Sequence, residues 1–393
     1  MTPFLQLALA LAVILFSAKL GGYISTRLGQ PSVLGELVIG ILLGPSLINL
    51  THLSFVTDAH LNELVTEIGQ LGVLLLMFLA GLELHLSDIA ANARTSALAG
   101  SLGVVFSIAL GYLVARLAQV EAIPALFLGL ATCSTSVSIS AQTLIELKLL
   151  RSKVGMNLLG AAVFDDVITI MLLSIFLALT AVTGSLGQIA WVLLKMALFL
   201  ALSVAFGLWG LPNLARKISP LPISQGILTF TLVVLLTYGL AAELIGGMAA
   251  ITGTFLAGMM FARSPEKSRI ESGLGSMAYG FFIPIFFVSI GLSVNLREIT
   301  PGALVLMLGI LAAAVLAKIA GVGLGGLLTG FNRREALQLG VGMITRGEVS
   351  LIALSLGLSR SLVDGRSYSA VIGMVLVTIL ITPPLLRGVF KQE

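Results

Sequence analysis

Charge is what this sequence has least of. Of 393 residues, 22 are Lys or Arg and 18 are Asp or Glu, so charged side chains make up 10%. Soluble domains carry roughly 25%. A soluble chain of this length needs a polar coat that 40 charges cannot supply, which excludes a soluble enzyme of two or three domains. Cysteine is almost absent too. Cys133 stands alone, which excludes a disulfide framework or a cysteine-based metal site. The three histidines, His52, His60 and His85, lack metal-motif spacing. No Gly-rich phosphate loop follows a strand signal. What remains is apolar: 58% of the chain, with 43 glycines besides. That excludes disorder and points to a polytopic membrane protein.

A helix needs about 20 apolar residues to cross a hydrocarbon core of about 30 Å. Thirteen segments qualify as candidate spans: 3–25, 34–50, 64–84, 94–117, 124–142, 155–182, 187–213, 225–243, 245–262, 275–296, 302–322, 336–358 and 366–390. The second, fifth and ninth are short or interrupted. The runs are long and lack period-2 alternation, so an all-α polytopic membrane protein is expected rather than a β-barrel. The first run is too long for a signal peptide and has no basic n-region.

The basic residues are distributed unevenly. Loops and helix ends after odd-numbered spans carry Lys19, Arg27, Arg94, Lys148, Arg151, Lys153, Arg216, Lys217, Arg263, Lys267, Arg269, Arg333, Arg334, Arg387 and Lys391, fifteen of the 22. The other side carries Arg116, Arg297, Arg360 and Arg366. The bias predicts an outside N-terminus and a cytoplasmic C-terminus. It also explains the basic pI near 9.3 without nucleic acid as a partner. The chain ends at Glu393, just past the last span, so no soluble regulatory domain is expected in it.

A charge deep in a bilayer costs about 2.5–3.5 kcal/mol on insertion scales. Five are central: Asp165, Asp166, Lys318, Arg346 and Glu348. Asp165 and Asp166 sit in VFDDVITIM, about 100° apart around the helix, so they face different neighbours. Either each makes a structural ion pair, or they form a cation and proton site, since carboxylates exchange protons for hard cations. Lys318 is the only charge in its span. An Asp165–Lys318 pair is the economical proposal; a lone structural Lys is the alternative. The fifth span crowds Thr132, Ser134, Thr135, Ser136, Ser138 and Ser140. Hydroxyls compete for backbone groups, which suggests an unwound, cation-ligating segment; close packing of small residues is the other reading. Arg346-Gly347-Glu348 interrupts span twelve and can compensate half-helix dipoles. Glu36, Glu67, Glu83 and Lys195 lie nearer span ends or in the bridging seventh span, where pairing, lipid contact and snorkelling are all open. The triplets 94–182 and 302–390 have equal lengths and opposite directions, the pattern of an inverted repeat.

With GQPSVLGELVIGILLGP, FLAGLEL, FDDV, Lys318 and TRGEVSL in place, the whole chain resembles the cation/proton antiporter-2 family, most closely its NapA-like Na⁺/H⁺ branch. The resemblance implies thirteen helices in an inverted-repeat antiporter fold with two broken crossing helices. It implies a homodimer with a dimerisation domain (1–84 and 225–296), a core ion-transport domain (94–182 and 302–390) and a linker helix (187–213). Asp166 matches the family's ion-binding Asp, and Asp165 the Asp that pairs with Lys318. Thr135 and Ser136 match the broken-helix neighbours of the transported Na⁺, and Arg346 and Glu348 the charges that hold the crossing. No cofactor is implied beyond the transported Na⁺ and H⁺. Membrane lipids are the other partner. Potassium-efflux relatives usually differ at the first acidic position and carry a nucleotide-binding domain. A bacterial inner membrane is expected, or a thylakoid membrane if the source is cyanobacterial.

Overall fold

The computed structural model describes residues 2–50, 60–83, 92–180, 186–293, 301–347, 350, 353–354, 357–358 and 362–390. Among the described residues there is no strand, and every regular element is helical. In order these are α1 Pro3–Arg27, α2 Ser32–Leu43, α3 Leu61–Leu82, α4 Ala93–Leu117, α5 Ala122–Ala131, α6 Val137–Glu146, α7 Lys153–Thr180, α8 Leu186–Ile218, α9 Gly226–Leu244 and α10 Ala250–Phe261. Next come α11, built from Lys267–Met277, Ala278–Phe282 and Ile283–Leu292, and α12, built from Pro301–Ala317, Lys318–Val322 and Gly323–Leu328. Then follow α13 Arg333–Gly342 and α14 Gly365–Phe390. Nine of the helices among the described residues are long and apolar enough to cross a membrane; α2, α5 and α10 are shorter apolar helices.

Two helices contain a π turn, and the cause in α11 is local. Pro284 lies just beyond the π turn 278–282. A proline ring inside a helix clashes with the carbonyl four residues back, and the wider turn relieves that clash. α11 starts at Lys267, eight residues before the expected span, because the 11 residues KSRIESGLGSM form roughly its first three turns, which are polar. α12 runs on to Leu328, past the expected 322. Its π turn starts at Lys318 itself.

The chain divides into two compact units. The first comprises Met1–Ile24, Gly35–Ala90 and Gly187–Ser293. Its helices approach through glycines. A Cβ on Gly81 would strike the Phe255 carbonyl, and one on Gly258 the Phe78 carbonyl, so α3 and α10 touch backbone to backbone. Where lipid is as apolar as leucine, such close packing replaces the hydrophobic drive for helix association. Ile14, Ala18, Leu43, Val65, Ile285, Val288 and Leu292 form a core there. Glu36 reaches Lys19 at 3.7 Å, and Lys195 lies 5.8 Å from the Trp191 ring centroid.

The second unit comprises Ser25–Leu34, Ala91–Leu186 and Val294–Glu393. It contains the five central charges of the sequence. α4 packs on both α7 and α12. Gly100 meets the Ala161 carbonyl, Gly321 the Leu102 carbonyl and Gly325 the backbone of Ala99. The close seats hold α7 and α12 against neighbouring faces of α4, which brings Asp165 and Lys318 together.

Candidate ion-exchange site

Residues 132–136 separate α5 from α6 and follow no helical pitch. Ser136 is extended, at φ −82° and ψ 105°. Residues 343–347 likewise follow α13 without helix. These two segments meet. The Ser136 amide donates to the Thr345 carbonyl at 2.9 Å. The Ser140 hydroxyl donates to the Gly342 carbonyl at 2.7 Å and lies 3.2 Å from the Thr345 hydroxyl. Gly347 fits against the Ser136 side chain, where a Cβ would collide.

Asp165 stands at this meeting, 0% exposed. Its Oδ1 accepts from Lys318 Nζ at 2.5 Å, with both side chains sealed from solvent. Its Oδ2 accepts from the Thr135 amide at 2.9 Å. One carboxylate therefore joins α12, α7 and the first unwound segment. Gly103 on α4 makes room for the lysine, since a Cβ there would lie 3.4 Å from Lys318 Nζ. Asp166, the next residue on α7, is 6% exposed and points about 100° away.

Arg346 is fully buried. Its guanidinium donates only to neutral groups among the described residues. Nη1 reaches Thr135 Oγ1 at 3.4 Å and the Met343 carbonyl at 3.3 Å. Nη2 reaches Ser107 Oγ and the Ala314 carbonyl, both at 3.3 Å. Its backbone amide donates to Thr378 at 3.2 Å. The Thr135 hydroxyl also donates to the Met343 carbonyl at 3.4 Å. Ser136 Oγ lies 3.1 Å from Ser138 Oγ. Glu348 lies outside the described residues.

The structure thus gathers Asp165, Lys318, Thr135, Ser136 and Arg346, with Asp166 beside them. Sequence reasoning did not single out Ser107, Thr169, Ala314 or Thr378, which also line this region. Their only signal was hydroxyls or small residues in apolar helices, and that signal recurs elsewhere in the chain.

Chemically, the arrangement holds two carboxylates, two cationic side chains and unwound backbone inside an apolar shell. Such a site can trade a proton for a hard cation at a carboxylate.

Comparison with known proteins agrees with that chemistry. Residues 12–392 match the family described as "Sodium/hydrogen exchanger, transmembrane". The chain is 38% identical over 384 residues to the Na(+)/H(+)-K(+) antiporter GerN of Bacillus cereus, covering 98% of this chain and 96% of that protein. It is 33% identical to a Na(+)/H(+) antiporter of Enterococcus hirae over 97% of both chains. It is 32% identical to the high-affinity Na(+)/H(+) antiporter NhaS3 of Synechocystis, over 98% of this chain and 89% of that one. The solved sodium proton antiporter MjNhaP1 of Methanocaldococcus jannaschii shares the fold at TM-score 0.68 and 15% identity, over 99% of this chain and 97% of its own. On sequence match, architecture and buried charge together, the chain is a multi-pass membrane protein that belongs to the sodium/hydrogen exchanger family of monovalent cation:proton antiporters.

Proposed function

We propose that this chain exchanges Na⁺ or Li⁺ for H⁺ at Asp166, by elevator-type alternating access of the second unit. The observation that carries the reading is the sealed Asp165–Lys318 pair beside Asp166, at the meeting of two unwound segments. Na⁺ and a proton each neutralise the same ionised carboxylate, Asp166, and that makes the two cargoes competitors for it.

Cation entry is coupled to Lys318. When Na⁺ binds ionised Asp166, Asp165 releases Lys318, which loses its proton. When protons return, Asp166 is neutralised and the pair reforms. Two protons then move per Na⁺, with one net charge per cycle. Ser136 and unwound carbonyls supply oxygen ligands beside Asp166. Thr135 acts through its amide on Asp165, because its hydroxyl is engaged with Arg346 and the Met343 carbonyl.

The wider architecture belongs to the same reading: thirteen crossings in an inverted repeat, an outside N-terminus, and a homodimer formed by the first unit. K⁺/H⁺ exchange is the second reading. It is favoured by the K(+) in the name of the relative at 38% identity and by ligand chemistry common to both ions.

Proteoliposomes test both. Asp166→Asn should abolish cation-driven proton flux, and full flux in that variant would sink the proposal. A series over Na⁺, Li⁺ and K⁺ ranks the cargo. In the same vesicles an imposed membrane potential should drive exchange in the parent but only weakly in Lys318→Gln. Equal voltage sensitivity removes the proton from Lys318.

A further inference from the structure

Cys133 and Thr169 take no part in the exchange scheme, yet they touch each other at its centre. Both are buried, at 0% and 2% exposure. Cys133 Sγ lies 3.0 Å from the Leu130 carbonyl and 3.2 Å from Thr169 Oγ1. A carbonyl can only accept, so the single thiol proton goes to Leu130. The Thr169 hydroxyl is then the donor to sulfur.

The sequence spacing of this contact is informative. Thr169 follows Asp165 by four residues, so it lies one turn along the same face of α7, about 6 Å away. Cys133 precedes Thr135 by two residues, and an opened chain covers up to about 7 Å in two residues. The two spacings agree. The segment 132–136 therefore runs antiparallel along α7 on two rungs: Thr135 amide to Asp165, and Cys133 to Thr169.

The rungs differ in kind. The first depends on a carboxylate whose other oxygen holds Lys318, so it changes whenever Asp165 changes partner. The second is neutral and does not. Between them sits Ser134, buried to 2% exposure, with no hydrogen-bond partner for its hydroxyl among the described residues. The register of the segment decides what that hydroxyl and the neighbouring carbonyls can reach.

We propose that Thr169 is a positioning residue whose hydrogen bond to Cys133 keeps the unwound segment in register with α7 while Asp165 changes partner, and so sets the cation affinity. This rests on the exchange reading above. The single cysteine makes it testable by a readout that needs no transport. In proteoliposomes of the full chain, the pH-independent rate constant for Cys133 with N-ethylmaleimide should be about fivefold higher in Thr169→Val than in the parent, the size expected for one lost neutral hydrogen bond. The pH-independent constant removes the smaller thiolate fraction that loss of the Thr169 donor itself causes. The KM for Na⁺ should rise by a similar factor of about five with kcat unchanged within about twofold. Thr169→Ser should restore both. Cys133→Ala, which removes the acceptor, should raise KM like Thr169→Val.

Unchanged labelling in Thr169→Val overturns the proposal. So does equal impairment by Val and Ser, which would indicate packing, or a fall in kcat at constant KM. Should Thr169→Val not fold, Cys133→Ala with parental KM overturns it instead. If the parent exchanges no cation, the exchange reading fails, while labelling still decides the register.

Discussion

At the residue scale, energetics are concentrated in Asp165, Lys318 and Arg346. Removing one member of a buried ion pair strands the other, at a typical cost of about 3–5 kcal/mol. Replacing both members costs less. Asp165→Asn and Lys318→Gln should therefore each lower stability in detergent by about 3–5 kcal/mol, and the double variant should recover much of the loss. Chemical-denaturant unfolding of the four species checks this. Additive losses would mean that the 2.5 Å contact contributes nothing to the fold. These charges were legible in the sequence because charge is so scarce at membrane depth. Their neutral neighbours were not. Ser107, Ala314 and Thr378 differ from dozens of similar residues only in facing Arg346, and facing is settled by which helices pack.

At the scale of elements, the helix starts facing water show the same interplay. Asn332 and Glu335 cap α13 reciprocally: Asn332 Oδ1 accepts the Glu335 amide at 2.8 Å, and Glu335 Oε2 accepts the Asn332 amide at 2.9 Å. Lys153, at the start of α7, donates to the same Glu335 oxygen at 3.0 Å and covers the Phe331 ring at 4.1 Å. The cap thus ties α7, which carries Asp165, to α13, which leads into Arg346. Burial alone would raise the Glu335 carboxyl above its ordinary 4.5, but the Asn332 amide and Lys153 outweigh it and hold it lower. A carboxyl lowered in the folded state stabilises above its unfolded value and loses that contribution as pH falls through the folded one. The parent should accordingly lose thermal stability as pH drops below about 4.5, and Glu335→Gln should flatten that limb while being less stable near neutrality by about 1 kcal/mol. A scan of melting temperature from pH 3 to 7 reads both, and an unchanged acid limb would rule the cap out as its source. The N-R-R-E spacing is the local pattern such a reciprocal cap requires. The early start of α11 was not visible, because KSRIESGLGSM is too polar to register as part of a membrane span although it continues the helix.

For the whole molecule, orientation is the property most open to test. The basic-residue bias predicts that the α4–α5 connection faces outward and the α8–α9 connection the cytoplasm. Ala122 and Ser224 are both exposed, and the one native cysteine is buried. In intact cells an impermeant maleimide should label Ala122→Cys at once and Ser224→Cys only after permeabilisation; the reverse order would invert the topology. Composition determined that this chain lives in a membrane, since 40 charges among 393 residues cannot coat a soluble fold, and long apolar runs without period-2 alternation determined that it does so as helices. Charge scarcity also marked the residues worth attention. Sequence spacing could not decide which of them meet. Asp165 and Lys318 are 153 residues apart, and Ser136 and Thr345 are 209 apart. They are joined because glycines on α4 and α12 let those backbones close to contact and because two segments leave helical pitch where they meet. Local propensity acts over a turn or two of chain, whereas the partners of a buried charge are chosen by which helix faces pack together. Only the tertiary structure holds that choice.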